Sequence, residues 1–279
     1  MTDLTLIFPQ WQGSIDNEAL YSGAHELAEN IPGLPSPKEV EVAPFYTLPE
    51  QHPIAGKDDI VKQLHLANTI LDAENPDRIL LLGGDCSTEA APATWLNRKH
   101  GGDMALVWLD AHPDLNTPET SQSGRLQGMA LAVLLGLGGE ELNAALGTSF
   151  DCRQVFSAGQ RVFDPPELEY MSANKIFISG PGELERDPSW LAKQIKSAGF
   201  TRVYIHLDVD AVNPMGFPHS KPSPPAGLLF GHLLKAIEEI DREVEICGLG
   251  ITEFHPGNAR GIEKAAELIN KTLRNFLKE

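Results

Sequence analysis

Five side chains that suit a metal centre follow two apolar runs. Asp110, His112 and Asp114 come directly after Ala105–Leu109 in ALVWLDAHPDLN, and Asp208 and Asp210 follow residues 203–207 in VYIHLDVDAVNP. Each run is short and rich in β-branched or aromatic residues, which reads as a buried parallel strand. In an extended chain residues i and i+2 face the same side, so Asp110 is expected beside His112, and Asp208 beside Asp210. Four acids and an imidazole gathered at strand ends repel one another unless cations neutralise them. Carboxylate oxygens with one or two nitrogens suit Mn²⁺ or a similar divalent ion, and this many ligands implies two ions.

Three further segments carry polar groups. In LLLGGDCSTEAAP, Gly83 and Gly84 turn the chain out of a strand, and Asp85 or Ser87 is placed to cap a helix. Cys86 is either a buried core thiol or a nucleophile activated by the helix N-terminus, the latter needing a base such as His112 or His255. In DLNTPETSQSGRLQG, an amide and several hydroxyls sit beside the acidic cluster and suit a polar head group. Taken singly, Thr117, Ser121 and Ser123 read more simply as turn caps. In GLGITEFHPG, Glu253 ends a glycine-containing strand on the same rim and is placed to hold a cationic group.

Positioning these groups falls to alternating strands and helices. Strands are expected at 4–8, 40–45, 79–82, 105–109, 154–158, 175–179, 203–207 and 245–251. Helices are expected at 57–73, 88–97, 126–137, 188–198, 228–240 and 259–277, with a shaped proline-rich loop at 214–225. Such alternation implies an α/β protein with a parallel sheet covered by helices on both faces, and ligands beyond the carboxyl ends of the strands. All the suspicious residues fall there.

The 279 residues, 42% hydrophobic and 22% charged, fit a globular chain of one large domain or two small ones. A formal net charge of −17 argues against nucleic acid and anionic membranes as partners. The apolar runs are strand-sized, and MTDLTLIFPQ lacks the pattern of a signal peptide. Three scattered cysteines argue against a disulfide framework and for a reducing cytoplasm.

Taken in order, these segments resemble the ureohydrolase superfamily of arginase, agmatinase and formiminoglutamase, from Leu80 to the C-terminus. The pairing of DAHPD with DVDAVNP is the specific part. The resemblance implies a three-layer α/β/α fold with a mostly parallel central sheet, in one domain spanning residues 1–279. It implies a two-Mn²⁺ site whose bridging hydroxide attacks a guanidinium carbon, and a homo-oligomer, trimeric or hexameric. Asp110, His112, Asp114, Asp208 and Asp210 would be metal ligands, with Asp110 and Asp208 bridging. Cys86 stands where the family normally has a histidine ligand, and Glu253 would bind the guanidinium. DLNTPETSQSG and GQRVFDPPE look most like arginase. The match makes Asn116 and Ser123 contacts for the α-carboxylate, with Ser121 supporting, and Asp164 a contact for the α-amino group, with Glu167 nearby. The implied substrate is a small guanidino or amidino compound with an amino-acid head.

Two further departures accompany Cys86. Asn213 replaces an aspartate near the metal ligands, and Gln127 replaces a proton-shuttling histidine. Glutamine cannot titrate, so Gln127 would orient a water or substrate without acting as a general acid. Two other readings stay open: a divergent binding or regulatory protein, and a thiol-dependent amidine hydrolase using Cys86. Retention of so many carboxylates favours the metal enzyme.

Overall fold

The computed structural model describes residues 2–14, 18–48, 53–217, 224–255, 259–273 and 277. Eight parallel strands form its sheet: β1 (Asp3–Phe8), β2 (Pro37–Glu39), β3 (Arg78–Gly83), β4 (Ala105–Leu109), β5 (Val155–Ala158), β6 (Phe177–Ser179), β7 (Arg202–Asp208) and β8 (Glu245–Thr252). Their order is β2-β1-β3-β8-β7-β4-β5-β6. The pleat explains the layering. Ile79, Leu81, Leu106 and Trp108 enter one apolar cluster, and their neighbours Leu80, Leu82, Val107 and Leu109 enter the other. Strands buried on both faces must read as continuous apolar runs, and these do.

Helices cover both faces. α2 (Lys57–Glu74) and α3 (Ala90–Lys99) pack on the first cluster through Ile60, Leu64 and Leu96. α8 (Trp190–Ser197), α9 (Phe230–Glu243) and α10 (Ala259–Thr272) pack on the second. In α9 the buried positions Leu233, Leu234, Ala236, Ile237 and Ile240 recur at helical spacing, giving one apolar stripe. The remaining helices are α1 (Glu18–Asn30), α4 (Ala130–Leu134), α5 (Glu140–Leu146), α6 (Pro165–Asn174) and α7 (Pro181–Arg186).

Several expected elements are corrected. The strand expected over 40–45 is absent. β1 instead pairs with Pro37–Glu39, and Val40 and Val42 pack as buried loop residues. The helix expected over 126–137 is a 3₁₀ turn, Leu126–Met129, followed by the short α4. Gly136 at φ +82° lets Leu137 N–H reach Ala132 O and Gly136 N–H reach Val133 O, which stops the helix. The closing helix ends at Thr272, and residues 274–276, which the expected span included, lie outside the described residues, as do residues 218–223 of the proline-rich loop. The four helices α1, α5, α6 and α7 were not expected from the sequence. Among the described residues no helix is long and apolar enough to cross a membrane, and all three cysteines are thiols.

The strand order positions the site. The chain passes from β3 to β4 across β8 and β7, which enter later. The carboxyl ends of four neighbouring central strands therefore open onto one crevice, the usual ligand position in such sheets.

Candidate active site

Each of those four strands delivers at least one acidic or thiol group. After β3, Gly84 passes against the chain near Gln10, where a Cβ would fall 1.8 Å from the Gln10 carbonyl oxygen. Asp85 then caps a 3₁₀ turn, Cys86–Glu89, by accepting Ser87 N–H at 3.0 Å. That turn aims Cys86 N–H at Glu253 Oε1, 3.3 Å away at the end of β8. Asp208 ends β7, and its Oδ1 accepts Asp210 N–H at 2.7 Å. Residues 209–211 thus form a 3₁₀ turn, so the extended-chain alternation expected to align Asp208 with Asp210 does not continue past Asp208. After β4, Asp110 Oδ1 accepts His112 N–H at 2.7 Å and its Oδ2 accepts Trp108 Nε1 at 3.2 Å. Asp114 and Glu253 hold left-handed backbones at φ 52° and 58°. For side chains of this kind such conformations cost roughly 1–3 kcal/mol and persist only when surroundings impose them.

The groups converge in two sets. One comprises Asp110, His112 and Asp210, with His112 Nδ1 3.1 Å from Asp210 Oδ2 and 3.5 Å from Asp110 Oδ1. The other comprises Cys86, Asp110, Asp114 and His206, whose ligand atoms lie within 4.8 Å of one another. Asp110 belongs to both. Asp208, expected to bridge, belongs to neither. It lies beside them, with Oδ2 accepting Cys86 Sγ at 3.3 Å.

Electrostatics mark the cluster as unbalanced. Burial, then neighbouring carboxylates, pushes Asp114, Asp208 and Glu253 well above the usual range, and Asp210 rises for the same reasons. Against burial, His112 and His206 hold Asp110 low. His112, opposed by burial but flanked by Asp110 and Asp210, rises to about 11. Asp114 Oδ2 and His206 Nε2 are buried without a hydrogen-bond partner. Buried polar atoms of this kind are costly unless something satisfies them. Oxygen, imidazole and thiol donors facing inward fit divalent cations.

The Cys86 thiol is not poised as a nucleophile. Burial and then the Asp208, Asp114 and Glu253 charges raise it well above its ordinary value, the reverse of an activated cysteine. Its hydrogen-bond partners are the Asp208 carboxylate and the Thr252 hydroxyl rather than an imidazole, and His255 Nδ1 lies against Glu253 O at 3.2 Å.

Above the cluster is a cavity of about 340 Å³. Every expected site residue except the buried Asp110 lines it: Cys86, His112, Asp114, Asn116, Ser121, Ser123, Gln127, Asp164, Glu167, Asp208, Asp210 and Glu253. Asn116 Nδ2 donates to Asp164 Oδ2 at 2.9 Å, joining two segments far apart in sequence. Gln127 Oε1 is buried without a partner. Ser121 and Ser123 accept the Gly124 and Arg125 amides, the turn caps of the simpler reading. Glu167, expected beside the substrate, spends both oxygens on backbone: Oε1 accepts Leu115 N–H at 3.0 Å and Oε2 accepts Asp164 N–H at 2.8 Å. It therefore braces the Asp114 loop against the start of α6. Asn213 Oδ1 accepts Met215 N–H and shapes its own turn.

Sequence reasoning missed His206, its partner Glu89, and Arg125, which is the one arginine or lysine lining the cavity among the described residues. The available signal for the first pair was a histidine inside the apolar run of β7.

The sequence profile of the Arginase family matches residues 39–278, and the chain belongs to that family. It is similar to the arginase of Staphylococcus aureus (strain COL), 27% identical over 240 residues covering 82% of this chain and 78% of that one. Its fold is that of Entamoeba histolytica arginase, solved in complex with L-ornithine, with a TM-score of 0.81, 18% identity and 97% of each chain covered. Arginase from Bacillus caldovelox superposes with a TM-score of 0.80 at 22% identity, with 99% of each chain covered.

Proposed function

We propose that the protein hydrolyses the C–N bond of a linear guanidino group on a small amino acid, arginine-like in form, at a centre of two divalent ions. The observation that carries this is one cavity with carboxylates crowded at its floor and the Asn116–Asp164 pair at its rim. Asp110, His112, Asp114, Asp208, Asp210 and Cys86 would hold the ions, manganese being the expected activator. When bound, a divalent ion lowers the pKa of water toward neutrality and so supplies the nucleophile. Water oxygen adds to the guanidinium carbon, the bond from that carbon to the alkyl nitrogen breaks, and both protons of the water end on that nitrogen, giving an alkylammonium and urea.

The chain's own residues do the rest. Glu253, on the cavity wall, holds the cationic guanidinium by charge. The unpaired Gln127 Oε1 accepts one of its N–H groups and orients it, without moving a proton. Asn116, Ser121 and Ser123 meet the α-carboxylate, with the Arg125 cation beside them, and Asp164 meets the α-amino group. The high thiol pKa removes support from a Cys86 nucleophile.

A screen of urea release by the manganese-loaded protein tests this. Arginine-type amino acids should be cleaved at least about 10²-fold faster than agmatine, because a site built to pair a polar head is left unpaired by an analogue lacking it. Faster cleavage of agmatine or free guanidine contradicts the head-group assignment.

A further inference from the structure

His206 lies within β7 with no exposed surface, its ring stacked on Trp108 at a centroid distance of 3.6 Å. A core histidine ordinarily has both nitrogens satisfied. Here Nδ1 is 2.9 Å from Glu89 Oε1, whereas Nε2 makes no hydrogen bond and has Asp110 Oδ2 at 3.7 Å. Glu89 is equally buried, and its other oxygen accepts the Tyr204 hydroxyl at 2.6 Å. The adjacent strand makes room for this arrangement. A Cβ on Gly250 would fall 1.8 Å from Glu89 Oε1, and one on Gly248 2.3 Å from the Tyr204 ring.

A carboxylate accepting from Nδ1–H fixes the tautomer with its lone pair on Nε2, and it raises the basicity of that nitrogen. This is the usual support behind a metal-binding imidazole. His206 shares one ligand cluster with Cys86, Asp110 and Asp114, its Nε2 lying 3.7 Å from Asp110 Oδ2, and Asp114 Oδ2 is also unpartnered.

The geometry points to a metal centre with two unlike positions: a thiophilic ion such as zinc held by Cys86, His206, Asp110 and Asp114, beside a harder ion held by Asp110, His112 and Asp210. His206, oriented by Glu89, supplies the imidazole that Cys86 does not. Sulfur and nitrogen donors favour zinc, whereas the oxygen-rich neighbour favours manganese. Four protein donors would be enough to hold the first ion, whereas the three-donor position would leave room for water. The inference rests on the metal centre of the proposed function.

The test is titration of the chelator-treated protein with zinc against a competing chelator, repeated with cobalt for its spectrum. The first cobalt equivalent should show a thiolate charge-transfer band that Cys86→Ser removes. Glu89→Gln should weaken the first zinc by about 10–100-fold, the usual effect of losing an orienting partner. His206→Asn should weaken it more, and His112→Asn far less. Thermal melts of the metal-free variants establish folding, and Glu89→Gln keeps the imidazole if His206→Asn does not fold. Unchanged zinc affinity and cobalt spectrum in the folded variants overturn the inference and leave the hydrolase standing. Zinc bound as described, with no guanidino compound cleaved, supports the ligand assignment and sinks the hydrolase instead.

Discussion

At the amino ends of the strands, acids are matched by cations. Arg78 Nε and Nη2 each donate to Asp3 at 2.8 Å across the β1–β3 register. The Thr2 amide and Lys99 lower Asp77, and Thr201 and Arg202 lower Asp103 despite some burial. At the carboxyl ends of the same sheet, Asp114, Asp208, Asp210 and Glu253 face one another and rise. Both rims are acidic, but only the first is balanced by the chain's own cations. The second holds its acids at the expense of stability, which is expected of a site completed by something bound.

The largest effect should appear in the pH dependence of the metal-free protein. Asp114, Asp208, Asp210 and Glu253 bind protons more tightly folded than unfolded, so stability is complete below the unfolded values near about 4 and falls as pH rises. His112 acts in the same sense, its contribution being lost from about 6.5 up toward about 11. Asp110, Asp77 and Asp103, all lowered, change stability only in the acid range. The metal-free protein should therefore melt at a lower temperature at about pH 9 than at about pH 5. Asp208→Asn should reduce that slope and saturating divalent ion should suppress it. Equal melting across the range would mean that the carboxyl rim stores no repulsion.

A smaller effect belongs to the balanced rim. Arg78→Ala strands the largely buried Asp3 carboxylate and should cost about 1–3 kcal/mol by denaturant titration, with metal content untouched. A loss of bound metal in that variant would erase the distinction between the rims.

Much of the unbalanced rim was legible in the sequence, because DAHPD and DVDAVNP follow apolar runs that could only be buried strands. The other half of the metal arrangement was hidden by distance. His206 reads as core until Glu89, 117 residues away, is seen against its Nδ1. Among the helices, α5 and α7 are too short for periodicity to register, and α6 buries only Glu167 and Met171. The 3₁₀ turn after Asp208 leaves no mark in the alternation pattern, which runs on to Asp210, two residues past the end of β7.

Asp110 is common to both ligand sets, so it joins the carboxyl rim into one metal centre. Metal analysis of the wild type and Asp110→Ala after equilibration with manganese and zinc tests this most directly. The wild-type chain should carry two divalent ions, and Asp110→Ala should lose both. Undiminished metal content in Asp110→Ala would contradict this.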